Sequence, residues 1–157
     1  MLEIQEQTSI HQLALEWIRA ELRPKFQQIY FGLDQVGYER SSTNKKFDLI
    51  LSPSDFGFHN ILENHGELSF LDFEYAGWDD PAKLCADYAC QPQIPVTEEQ
   101  AGWFCQQLEN NLGRKGIFHR FHLLLPLYHI KWCCIMLNEF RSLDWARRYH
   151  AEEGHKM

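Results

Sequence analysis

Two carboxylates and an amide stand at a spacing that can do chemistry. Asp55 and Asn60 lie five residues apart in SPSDFGFHNIL, residues 52–62, and Asp72 ends an apolar run in LSFLDFEYAGWDDPA, residues 68–82. An aspartate in a tight loop can orient or deprotonate a hydroxyl. An asparagine oxygen and a second carboxylate are hard ligands that suit Mg²⁺ on nucleotide phosphates. A tight loop would bring the base and the first ligand to one end of a site, and a hairpin strand would deliver the second carboxylate beside Asn60. Alone, each residue has a plainer reading. Asp55 follows Ser-Pro-Ser, a turn context, and Asn60 could end a turn. Asp72 is harder to explain that way, because an apolar strand seldom delivers a carboxylate without a partner.

The two segments resemble the catalytic core of the aminoglycoside phosphotransferase and choline kinase-like family, the small-molecule branch of the protein-kinase-like fold. DFEYAG, residues 72–77, and the turn Asp80-Pro81-Ala82 carry the likeness, which is close over residues 47–90 and looser to about residue 150. The resemblance implies that Asp55 is the catalytic aspartate, that Asn60 and Asp72 hold Mg²⁺, and that ATP is the phosphoryl donor. The acceptor would be a small-molecule hydroxyl, with sugars, aminoglycosides and amino alcohols all open. The chain departs from the family at Pro53, where a His is usual two residues before the aspartate, and at Gly57, where many members have a second His. The nearest His is His59.

The resemblance also implies an N-terminal β-lobe with a phosphate-gripping glycine loop and a lysine. None of the 54 residues before Asp55 reads that way. Gly32 and Gly37 are too sparse for such a loop, and Lys25, Lys45 and Lys46 lie in helical or turn-like sequence. The expectation is therefore a C-terminal lobe without its nucleotide-clamping partner, inactive alone: a truncated form, a broken gene or half of a two-chain assembly. A non-catalytic binding or remnant module is the competing expectation.

Other acidic residues have supporting readings. Asp87 is expected to cap or pair with the catalytic loop, or else to sit on a helix surface. Glu74, Asp79 and Asp80 could bind a cationic substrate group, or simply be solvated. Zinc is disfavoured, since Cys85-x4-Cys90 and Cys133-Cys134 lack a second pair at finger spacing, and His119-x-x-His122 lies on a helical face.

A formal charge of −7 argues against binding a nucleic-acid backbone, which needs a basic stripe. Fourteen per cent aromatic residues, five of them Trp, suggest rings at an interface with a missing lobe or a second copy. The five cysteines fall in apolar helical patterns and no signal segment opens the chain, so a reducing cytoplasm is expected. The most apolar run, residues 121–137, is interrupted by His122, Pro126, His129 and Lys131, so no membrane span is expected.

The elements that must position these residues follow from periodicity and caps. Ile10, Leu13, Ala14, Trp17, Ile18 and Leu22 make one apolar helical face, with Ser9 and Gln12 as a capping box. Pro24 kinks the chain or opens a second helix through Phe26, Ile29, Tyr30 and Leu33. Residues 38–46 read as a polar loop and 47–51 as a short strand. A hairpin is expected over 60–63 and 68–73 around Asn64-His65-Gly66. Asp80 and Pro81 open a helix to Cys90. Thr97 with Gln100 caps another, with Ala101, Phe104, Leu108 and Leu112 on its core face and Gly113 and Gly116 at its end. Residues 118–152 read as one helix or two split at Pro126, with Phe121, Leu125, Tyr128, Trp132, Ile135 and Leu143 as the buried stripe and a basic end. The fold class is mainly α with short hairpin strands, as one domain over residues 1–157: a helical lead-in at 1–46, the catalytic and metal-binding segments at 47–90, and a helical remainder at 97–152.

Overall fold

The computed structural model describes residues 9–36 and 49–140. The polar loop expected at 38–46, the start of the strand expected at 47–51, and the end of the chain with Leu143 lie outside the described residues. These divide into two compact units, residues 9–35 with 130–140, and residue 36 with 49–129. Helices dominate, joined by two separate two-stranded antiparallel sheets, so the class is α+β as expected.

The first unit opens with α1, Ser9–Trp17, passes through a π-helical turn, Ile18–Leu22, and continues as α2, Arg23–Gln35. Pro24 explains the join. It has no N–H to give and its ring crowds the preceding turn. The helix accommodates this with one wide turn, in which the Arg23 N–H reaches back to the Ile18 carbonyl. The packed face of α1 matches the expected one in part, at Ala14, Ile18 and Leu22. Ile10, Leu13 and Trp17 are exposed, whereas His11 and Leu22 are buried, with Ala14, Leu15 and Ile18 half-buried on the same stripe. The hydrophobic pattern missed His11 because its ring is an imidazole. The His11 ring packs edge-on against Phe140, with centroids 5.7 Å apart.

The second unit is built on three helices. The third, α3 (Pro81–Cys90), opens as expected, with the Asp80 side chain accepting the Ala82 N–H at 2.9 Å. The next, α4 (Glu98–Leu112), carries the full Thr97/Gln100 capping box and ends at Gly113 in the left-handed region. The last, α5 (Ile117–Leu137), runs unbroken through Pro126 and belongs to both units. The core joins Ala82, Cys85 and Ala86 of α3 to Ala101 and Cys105 of α4 and Ile117 and Phe121 of α5. Small side chains on α3 and α4 let the two helices approach closely. The Cys85 thiol is pushed far up by its hydrogen bond with Cys105 and by burial, so it packs as an inert small hydrophobe. Leu125 and Tyr128 join this core, but Ile135 is 41% exposed and does not continue the expected stripe.

Four short strands complete the unit among the described residues. Strand β1 (Ile50–Ser52) pairs with β4 (Gly77–Asp79), which no sequence pattern announced. Between them β2 (Ile61–Asn64) and β3 (Glu67–Phe70) form the expected hairpin. Its turn is His65-Gly66, both at positive φ, the twist that tightens a two-residue loop. No helix among the described residues is long and apolar enough to cross a membrane.

One surface carboxylate links α4 to the start of α5. Glu109 Oε2 accepts the Phe118 N–H at 2.8 Å, and bonds from this helix start hold its carboxyl below the ordinary 4.5. A depressed carboxyl stabilises the fold above its unfolded value, and that stability is lost as pH falls through the folded value. The melting temperature of the native chain should therefore fall more steeply with acidification below about 4.5 than that of Glu109→Gln. Equal slopes in thermal melts followed by circular dichroism would disprove the cap.

Candidate functional site

The site grows from the loop between β1 and the hairpin. Ser54, directly before Asp55, adopts φ 67, a left-handed conformation uncommon outside glycine. All three of its polar groups are held. Its N–H donates to Ser52 Oγ at 3.2 Å, its hydroxyl donates to Asp79 Oδ2 at 2.8 Å, and its carbonyl accepts from Lys83 Nζ at 3.4 Å. Phe56, directly after Asp55, stacks with Phe70 and Phe104 and lies tilted against Tyr88. Asp55 is thus fixed by a polar clamp on one side and a ring cluster on the other.

Lys83 is the centre of the clamp. Its ammonium donates to Asp79 Oδ2 and to Asp87 Oδ2, both at 2.9 Å. Asp87 is fully buried. Burial would lower the Lys83 ammonium, but the hydrogen bonds to Asp79 and Asp87 outweigh it and hold the group above its usual value of 10.5. Asp87 therefore reaches the loop through Lys83, which then donates to the Ser54 carbonyl. The sequence reading named Asp87 and did not single out Lys83, although its placement one helical turn before Asp87 was the available signal.

Asn60 ends a 3₁₀ turn, Phe58–Asn60, and its Nδ2 donates to the Asp55 carbonyl at 2.9 Å. That spends a donor of the amide and leaves Oδ1 as an acceptor. The Asn60 carbonyl accepts the Leu71 N–H at 2.9 Å, which extends the β2–β3 register by one pair. Asp72 follows immediately, exposed and at φ 59, another left-handed non-glycine residue. Asp55, Asn60 and Asp72 therefore stand at one end of the same hairpin. Among the described residues no three His, Cys, Asp or Glu side chains gather in a metal-holding group. One amide oxygen and one carboxylate nevertheless fit the modest protein share of an Mg²⁺ shell completed by water and phosphate.

His59 was read only as the nearest imidazole, and the structure sets its Nε2 3.3 Å from Asp55 Oδ1. This is a close approach rather than an aligned hydrogen bond, since Oδ1 is buried and accepts none. The exposed part of the carboxylate is then its Oδ2 side. Gly57 makes room for this ring, because a Cβ there would lie 2.8 Å from His59 Nδ1 and 2.6 Å from Gln91 Cγ.

The acidic residues read as substrate contacts have separate fates. Asp79 binds Lys83 and Ser54. Asp80 caps α3 and takes a two-pronged bond from Arg120, Nε to Oδ2 at 3.0 Å and Nη2 to Oδ1 at 2.8 Å. Glu74 stays exposed, and its hydrogen bond and charge hold the neighbouring Tyr75 hydroxyl above its usual range.

Comparison with family models, with curated proteins and with solved structures finds no match to this chain.

Replacing Lys83 leaves the buried Asp87 carboxylate without a described ammonium and frees the Ser54 carbonyl. Lys83→Met should destabilise the chain by about 3 kcal/mol or more. Hydrogen exchange should accelerate most at residues 54–60. A variant as stable as the native chain in urea titration, with unchanged exchange in the loop, would show that the clamp does not hold it.

Proposed function

We propose that this chain is the C-terminal catalytic lobe of an ATP-dependent phosphotransferase acting on a small-molecule hydroxyl. The carrying observation is the hydrogen bond from Asn60 Nδ2 to the Asp55 carbonyl, in a loop whose hairpin brings Asp72 to the same end. In this reading Asp55 orients the acceptor hydroxyl and takes its proton on Oδ2, the oxygen not turned toward His59. Asn60 Oδ1 and the Asp72 carboxylate would hold Mg²⁺, which neutralises charge on the transferring phosphoryl group. Lys83, Ser54 and Phe56 keep Asp55 in place, so positioning supplies much of the rate. Glu74, free of an ion pair among the described residues, is the acidic side chain best placed to meet a cationic substrate group.

A second reading, a binding module without transfer, is favoured by a specific observation. Residues 9–35 ahead of β1 are helical and form no sheet that could grip phosphates. The nucleotide clamp would then come from another polypeptide segment, and the chain by itself would bind ATP weakly and turn nothing over. The rings of Leu51's cross-strand partner Trp78, and of Phe73 and Tyr75, are largely exposed and offer a surface for such a segment or for a second copy.

Two measurements test this. Mn²⁺ titration should broaden signals of Asn60 and Asp72, and Asp72→Asn should remove the effect. ATP consumption against amino alcohols, sugars and aminoglycosides should be absent for the chain alone and appear when a glycine-loop and lysine lobe is supplied. Asp55→Asn should then cut the rate by about 10²-fold or more. Turnover by the chain alone, lost in Asp55→Asn, would mean that the upstream residues already supply the clamp. A two-lobe protein without transfer, indifferent to Asp72→Asn, would favour the binding module. Light scattering should show a dimer or larger species, and a clean monomer at high concentration would count against self-association.

A further inference from the structure

The polar clamp and the ring cluster fix the backbone on either side of Asp55, and Asn60 holds its main-chain carbonyl. None of these contacts reaches the carboxylate. A carboxylate free to turn about χ1 and χ2 would aim either oxygen at an acceptor, and chemistry that relies on positioning needs one aim.

His59 is the side chain that stands against it. Its Nε2 lies 3.3 Å from Asp55 Oδ1, and the imidazole is only 12% exposed. Oδ1 is buried without a hydrogen-bond partner, and so is Nδ1 on the other side of the ring. Buried polar atoms without a partner are uncommon in a native fold, and this one pair holds two. The ionised Oδ1 only accepts, so the ring can meet it only with a hydrogen on Nε2. That tautomer leaves Nδ1 as a bare lone pair rather than a stranded N–H. Hydrogen bonds at reacting groups are often long or misaligned in the free protein and tighten when the substrate arrives. Gly57 provides the space for the ring. Its backbone is fully extended, at φ 177, so its lack of a side chain is what counts. A Cβ there would lie 2.8 Å from His59 Nδ1 and 3.0 Å from Cε1.

We infer that His59 is a positioning residue: an imidazole with its hydrogen on Nε2, admitted by Gly57, that holds Asp55 Oδ1 inward and leaves Oδ2 to the acceptor hydroxyl. The catalytic consequence rests on the phosphotransferase reading, while the restraint on the carboxylate does not. NMR of the full chain tests the restraint. At about pH 8, where an ordinary imidazole carries a single N–H, ring nitrogen shifts should report the Nε2–H form of His59. Three-bond couplings should give Asp55 a single χ1 rotamer. His59→Leu keeps an apolar body in place without a donor. It should average the Asp55 couplings while amide exchange at residues 54–60 stays as in the native chain. Gly57→Ala, which pushes the ring aside, should average them too, and His59→Gln, which restores a side-chain N–H, should restore the single rotamer. Once a nucleotide-clamping lobe is supplied, His59→Leu should lower kcat about tenfold with the acceptor KM unchanged, and His59→Gln should recover most of the loss. An Nδ1–H ring in the native chain, Asp55 couplings indifferent to His59→Leu, or a kcat that His59→Leu does not move would each overturn the positioning role. The expected couplings in a two-lobe protein that transfers nothing would uphold the restraint and overturn the phosphotransferase reading instead.

Discussion

The Lys83 ammonium is the interaction on which the loop around Asp55 depends. A fully buried carboxylate such as Asp87 is tolerated only with a charge partner, and Lys83 provides one. The same ammonium reaches Asp79 on β4 and the Ser54 carbonyl in the loop. One charge thus ties a helix, a strand and a loop that lie far apart in sequence. A hydrophobic residue in its place could fill the volume but could not satisfy three acceptors. The arrangement exchanges some stability for a fixed loop, a trade that makes sense only where position matters.

Packing does the complementary work. Phe56, Tyr88 and Phe104 bring rings from the loop, α3 and α4 together, with Tyr88 and Phe104 centroids 4.7 Å apart. Such pairs add about 0.5–1.5 kcal/mol each beyond burial. Burial pushes the Tyr88 hydroxyl up, so the ring stays neutral and acts as an apolar wall. The Arg120 fork on Asp80 ties the start of α3 to α5. The loop is held by rings that resist sliding and by charges that resist rotation.

What could be read from sequence was what is written locally. Asp80-Pro81 and Thr97 with Gln100 announce helix starts because the bonds they make lie within three residues. The hairpin was legible because His65-Gly66 suits a tight turn between apolar runs. Strand β4 was not legible, since three residues carry no period and their partner β1 lies some two dozen residues earlier. Lys83 was visible as a residue but not as a hub, because Ser54 and Asp79 come to it only through the fold. The α1 face was legible only in part, through Ala14, Ile18 and Leu22, because the packed imidazole of His11 counts as polar in any hydrophobic pattern, though its ring buries like an aromatic. At the site, the order of Asp55, Asn60 and Asp72 was legible, whereas the contact of His59 with Asp55 depends on the space left by the missing Cβ of Gly57.

Three non-glycine residues in the described chain adopt positive φ: Ser54, His65 and Asp72. His65 belongs to a hairpin turn that demands it. Nothing in a turn type demands it of the other two. A left-handed conformation costs a side-chain-bearing residue about 1–2 kcal/mol, and such strain persists only where the surroundings over-determine it. At Ser54 the over-determination is visible, in three hydrogen bonds that engage every polar group it has. At Asp72 the restraint comes from the hairpin register that ends one residue before it. Relieving either strain would take only a small change of backbone, yet each would re-aim a carboxylate. One strained residue directly precedes Asp55 and the other is Asp72 itself, and strain held in those places is the strongest physical sign that the geometry of Asp55 and Asp72 is what the fold maintains.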